Sequence, residues 1–197
     1  MVPKGVTVGG NVSPIGGGPT PETAARIAEL VKDFRSRGGT VRLPPHQPGE
    51  HGIWVLTAMR YWDRFERLPP AAKTLRLEAG LSYMWVALLE PQHMVALLDG
   101  ALAAAMAWVT TPGALRTRFI GSRQHSLTRG AGHALEFELV KDAVSKGVGI
   151  RGVYPAYPGA RSFHEGLGRR LDQSGPRSTE WTAADCAFIL VEVNARL

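Results

Sequence analysis

The 197-residue chain has one cysteine, Cys186. A single thiol closes no internal disulfide and builds no multi-cysteine metal site. Long apolar runs are missing too. None reaches the roughly 18 residues needed to span a bilayer. The longest, from Met94 to Val109, is broken by Asp99 and Gly100. The first residues, MVPKGVTVGGNV, hold no apolar stretch of the kind a secretory signal needs. These shortages make a cytoplasmic location, with no membrane partner, the expectation. Dense basic blocks are also absent. The net charge is +6 and the sequence pI about 9.9, yet the basic residues are scattered. Small groups occur at Arg116, Arg118, Arg123 and Arg129, and at Arg169 and Arg170. Such a surface attracts anions in general. Specific nucleic-acid binding needs more than charge.

What is present suits a globular protein: 44% hydrophobic and 20% charged residues, in a chain long enough to bury a sizeable core. Residues 1–20, rich in Gly and Pro, read as a flexible lead-in, and residues 21–197 as one domain. Thr20 is a plausible N-cap, followed by Pro21 and Glu22. Ala24, Ile27, Leu30, Val31 and Phe34 then recur at helical spacing, and Gly38 and Gly39 end that helix. Thr40–Leu43 suggests a short strand. Ile53–Arg67 reads as a helix rich in aromatics, with Trp54, Trp62 and Phe65 expected in the core. A shorter helix is expected over 70–79. Tyr83–Leu89 reads as a strand, with a helical continuation as the alternative.

Two apolar runs flank the dipeptide Asp99-Gly100, a hairpin signal. A third strand is expected over Leu115–Gln124. A helix follows to about Lys146, with Leu135, Leu139, Ala143 and Val144 as its buried stripe. Ile150–Tyr154, a short helix over Ala160–Gly166 and a last strand over Ala187–Asn194 complete the order. The expected fold is α/β of the α+β kind, with a central, mostly antiparallel mixed sheet flanked by helices.

Between the third strand and the long helix stands RGAGHA, residues 129–134. The first N–H groups of a helix lack intrahelical partners and lie at the positive end of its dipole. Glycines let a ligand approach the backbone. Together with Arg129 this is a recipe for holding phosphate, although an ordinary turn would use the same residues. The Walker pattern fails for want of Gly-Lys-Ser/Thr. The dinucleotide pattern fails because its third glycine is missing. No G-x-S-x-G element points to a serine hydrolase.

Arg129, Gly132 and Ala134 match the R/Q-x-x-G-x-G/A pattern of GNAT-family N-acetyltransferases. Downstream, Ala160, Phe163, Glu165, Leu167 and Gly168 match the A-x-x-F-Y-E-x-L-G element of that family. Upstream, residues 95–109 resemble its second and third strands. The sequence therefore resembles a GNAT-family N-acetyltransferase over roughly residues 94–168, with the N-terminal helix as an addition.

The resemblance implies acetyl-CoA as acyl donor, bound across the sheet where neighbouring strands splay. The backbone of Arg129, Gly130, Ala131, Gly132, His133 and Ala134 would hold its pyrophosphate. Gln124, Leu127, Thr128, Ser162 and Phe163 would complete the cofactor site, a strand N–H near Gln124 polarising the thioester carbonyl. A primary amine would attack directly in a ternary complex. The family's tyrosine proton donor is replaced by His164, a residue able to donate near neutral pH. Tyr157, where the family has Asn, is the second candidate. No carboxylate ends the third strand, so His125 is the available base. A non-catalytic acyl-CoA-binding or protein-interaction module, and an acetyltransferase acting on a charged tRNA, remain open as alternatives. The acceptor, a small molecule or a protein, is not encoded in any motif, and the chain could form a homodimer. His46 and His51 with Glu50 lack regular ligand spacing, and no metal site is expected.

Overall fold

The computed structural model describes residues 17–70, 81–123, 127–153, 163–171 and 178–197. Helix α1 (Pro21–Ser36) begins where expected: the Thr20 hydroxyl accepts the Thr23 N–H at 3.2 Å. All five apolar residues of the predicted face are buried. Strand β1 (Gly39–Arg42) and helix α2 (Glu50–Glu66) follow. Helix α3 (Leu81–Leu88) takes the segment read as a strand over Tyr83–Leu89. Its apolar run carries no period that separates the two states, and the helical alternative is the one adopted.

Strands β2 (His93–Leu98) and β3 (Ala101–Thr111) form the expected hairpin. Asp99 and Gly100 both have positive φ, 50° and 76°, as a two-residue turn of this twist requires. Strand β4 (Ala114–Ser122), helix α4 (Ala131–Lys146) and strand β5 (Gly149–Val153) come next. Two short strands, β6 (Arg170–Leu171) and β7 (Ser178–Trp181), add to the expected set. The chain closes with helix α5 (Ala183–Asn194), which corrects the strand expected over Ala187–Asn194. The reason is a capping box. The Thr182 hydroxyl accepts the Asp185 N–H at 3.1 Å, and the Asp185 carboxylate accepts the Thr182 N–H at 2.9 Å.

The seven strands run in the order β1-β2-β3-β4-β5-β7-β6. Every pairing is antiparallel except β4 with β5. This meets the expectation of a mostly antiparallel mixed sheet flanked by helices. One face carries α1, α4 and α5, whose apolar residues join Met106, Leu115 and Ile150 in the larger core. The other carries α2 and α3, packed on Val95, Leu97, Ala105 and Ala107. Helix α4 is buried well beyond its predicted stripe, because it lies between the sheet, α1 and α5.

Candidate functional site

Strand β4 is bulged. Ala107 on β3 pairs with Phe119 and Trp108 with Thr117, leaving Arg118 as the extra residue. A bulge bends its strand. The parallel ladder between β4 and β5 spans Ala114–Thr117 against Gly149–Gly152 and then stops, although β4 continues to Ser122. A cleft of about 450 Å³ opens beside the end of this ladder. Val109, Arg116, Thr117, Arg118, Phe119 and Val153 line it.

The junction into α4 follows directly. Gly130 is the N-cap, with φ 86°, a conformation costly for any residue with a Cβ. A Cβ there would also stand 2.2 Å from the Leu30 carbonyl oxygen and 3.0 Å from Phe34 Cβ. Gly130 is therefore buried, with α1 covering the side on which a Cβ would stand. Ala131, His133 and Ala134 are buried as well.

The described residues of the loop are braced at several points. The Thr128 hydroxyl donates to the Arg123 carbonyl at 3.0 Å, and the Thr128 carbonyl accepts the Ala131 N–H at 2.9 Å. From the end of α1, Arg37 donates to the carbonyls of Leu127 at 3.2 Å and Arg129 at 2.6 Å. Arg129 pairs with Glu29 at 3.1 Å and keeps half of its side chain in solvent. Leu127 and Arg129 are exposed and Gly132 is half-buried. The role of α1 as a brace was not legible in the sequence, since nothing local links Arg37 to Leu127.

Both sequence motifs meet here. A Cβ on Gly132 would lie 3.3 and 3.4 Å from ring atoms of Phe163. The same ring meets His133 edge-on at 5.2 Å. His164 is adjacent but turned inward and 5% exposed. Burial, aided by the nearby Arg169 cation, lowers its pKa to about 3. His164 is thus a neutral imidazole at physiological pH, so the expected proton donor near neutrality does not match its surroundings.

Sequence reasoning missed the group behind it. Arg169 is wholly buried, donates to the Glu136 carboxylate and lies 4.8 Å over the Trp181 ring. Burial pushes the Glu136 carboxyl up, against the pull of the Arg169 guanidinium. Among the described residues, Arg169 Nε and Nη1, Glu136 Oε1 and Thr117 Oγ1 are buried without hydrogen-bond partners. The signal available in advance was Glu136 itself, a carboxylate inside an apolar helix between Leu135 and Phe137.

Gln124, His125, Tyr157 and Ser162 lie outside the described residues. Away from the cleft, the structure adds His93 to His46 and His51. His46 Nε2 and His93 Nε2 are 2.9 Å apart, and His93 Nδ1 donates to the Glu90 carbonyl at 2.6 Å. Burial lowers the pKa of both His46 and His93. Among the described residues no group of three His, Cys, Asp or Glu is placed to hold a metal ion. Cys186 is buried, as expected, and burial pushes its thiol to about 12.

No model of a known protein family matches the chain, and no curated protein sequence matches it. Solved structures of similar fold include the PaiA N-acetyltransferase of Thermoplasma acidophilum in complex with coenzyme A. It is 12% identical, over 72% of this chain and 96% of that one, with a TM-score of 0.48. The acetyltransferase of Streptococcus agalactiae is 14% identical over 73% and 96%, with a TM-score of 0.46. The catalytic domain of the Tetrahymena GCN5 histone acetyltransferase, in complex with coenzyme A, is 10% identical over 74% and 92%, with a TM-score of 0.48. The chain's own sheet, mixed, mostly antiparallel and flanked by helices, is of the kind expected from the sequence. No helix among the described residues is long and apolar enough to cross a membrane.

Proposed function

We propose that the chain is an N-acetyltransferase that transfers the acetyl group of acetyl-CoA to a primary amine. The observation that carries this reading is the cleft at the end of the β4–β5 ladder, in the same chain segment that leads to a glycine-capped helix start. The cleft would offer a slot for an extended thioester, and the helix start offers positive potential for a pyrophosphate. Of the proposed pyrophosphate contacts, the Gly132 backbone and the Arg129 side chain have the surface access to serve. Gly130, Ala131, His133 and Ala134 act by fixing the loop that presents them.

In the proposed reaction the neutral amine attacks the thioester carbonyl carbon. The C–S bond breaks, the amine nitrogen loses a proton and the departing thiolate gains one. A backbone N–H near Gln124 would polarise the carbonyl, and holding both substrates together supplies most of the acceleration. With His164 neutral and buried, Tyr157 is the proposed proton donor to the thiolate, and His125 the proposed base.

Calorimetric titration with acetyl-CoA tests the reading. Binding is expected in the wild type, about tenfold weaker in Arg129→Ala through loss of a charge-assisted contact, and absent in Gly132→Trp. No binding to the wild type at millimolar ligand would overturn it. A second reading, an acyl-CoA-binding module without turnover, is favoured by the neutral His164 and by the carboxylate-free end of β4. Binding without thiol release across a panel of amines would select it.

A further inference from the structure

The acyltransferase reading leaves the acceptor unnamed, and the assignment of its chemical class rests on that reading. The two faces of the sheet beside the cleft differ in how they hold charge. Gly152, Thr117 and Thr179 face Arg169 behind the sheet. By alternation along the strands, Arg116, Arg151 and Val153 face the front. Parallel register sets Arg116 directly beside Arg151, and like charges so placed disfavour the pairing.

Arg151 is relieved by its neighbour in register on β7, Glu180, at 3.4 Å. Arg118, the bulged residue, is 3.8 Å from Glu90 and half-exposed. Arg116 is exposed and has no carboxylate partner among the described residues. Two guanidinium groups therefore line the cleft beside the end of the β4–β5 ladder. Apolar surface lies with them: Val109, Phe119 and Val153, the last 52% exposed.

We propose that the acceptor is an amine carrying an anionic group, a carboxylate or a phosphate. Arg116, with Arg118, grips the anion, and the acceptor's carbon chain lies along Val109 and Val153. Guanidinium matches both anions through its planar fork. Anchoring the anion on β4 leaves the amine free to reach the gap in which the thioester would lie. The repulsion built into the Arg116–Arg151 pairing is relieved when that anion binds.

The test uses the full chain and matched probes: ε-aminocaproate against its amide, and phosphoethanolamine against ethanolamine. Titration with acetyl-CoA comes first. Failure of the wild type to bind it overturns the acetyltransferase reading, and the acceptor assignment with it. Each amine is then titrated into wild type and Arg116→Gln saturated with coenzyme A. In the wild type each anionic probe should bind about tenfold tighter than its neutral partner. In Arg116→Gln that preference should vanish, with the affinity for acetyl-CoA unchanged. Equal affinity for charged and neutral probes, binding by none of them, or a preference that survives the substitution would overturn the assignment. So would a loss of acetyl-CoA affinity in Arg116→Gln that is absent with dephospho-CoA, because the arginine would then read the donor's phosphate.

Discussion

Behind β4 and β5, Arg169 has lost its water; in front of them, Arg116, Arg118 and Arg151 keep theirs. The rear guanidinium faces a carboxylate and an indole ring in the core. The front ones crowd one another on an exposed surface with fewer carboxylates than cations. Burying a charge demands a partner, because the desolvation penalty is otherwise uncompensated. An exposed arginine is under no such demand, so a like-charge neighbour persists at small cost. The rear arrangement thus concerns folding, while the front one leaves charge available for the proposed recognition of an anion.

The largest effect should come from breaking the rear pair one partner at a time. Arg169→Met or Glu136→Leu alone should cost about 3–5 kcal/mol, by leaving one buried group uncompensated. The double variant should recover most of that loss, and denaturant unfolding of the three proteins gives the coupling. Additive losses would show that the two side chains do not act as a pair.

Gly130→Ala should come next, at about 1–3 kcal/mol of strain, because its φ of 86° and the Leu30 carbonyl both exclude a Cβ. A melting temperature equal to that of the wild type would contradict the packing described between α1 and α4.

Acid should then weaken the rear face. His164 has a folded pKa near 3 against an ordinary value of 6.5. The unfolded chain therefore binds more protons between those values, and stability falls as pH drops. The contribution is complete above pH 6.5 and is lost progressively down to about pH 3. His46 and His93, also lowered, act in the same direction. Melting curves across this range should slope less steeply in His164→Gln; an unchanged slope would remove His164 as the cause.

Smaller still is the α5 cap, where Thr182→Ala should cost about 1 kcal/mol. The front face should respond least. Arg116→Gln should leave stability within about 0.5 kcal/mol of the wild type, as exposed substitutions do, while removing the preference for anionic amines. A large stability loss there would mean that Arg116 serves the fold after all.

Legibility followed the range of the interactions. Thr20, the apolar face of α1, the Asp99-Gly100 hairpin and the limits of α4 all depend on residues within a few positions of one another, and all are readable in the sequence. Helix α5 is the exception among local features: its Thr182–Asp185 box is local, but the apolar run from Ala187 suits a strand equally well. The two glycine-bearing motifs do meet at the site, yet the work of Gly130 changes once α1 is seen to cover it. Arg37, Arg169 and the bulge at Arg118 leave no local trace, since each depends on a partner distant in sequence.

Periodicity, caps and turn residues act over one or two turns of chain, so most of the elements, their order and the family resemblance can be read from the residues alone. Three-dimensional packing settles which glycine lies under a helix and which reaches the surface, which histidine is neutral, and which arginines face a cleft. Those properties depend on burial and on long-range register. Register between β4 and β5 sets Arg116 beside Arg151, and a one-residue bulge against β3 falls at Arg118, so two arginines far from either partner in sequence line one cleft.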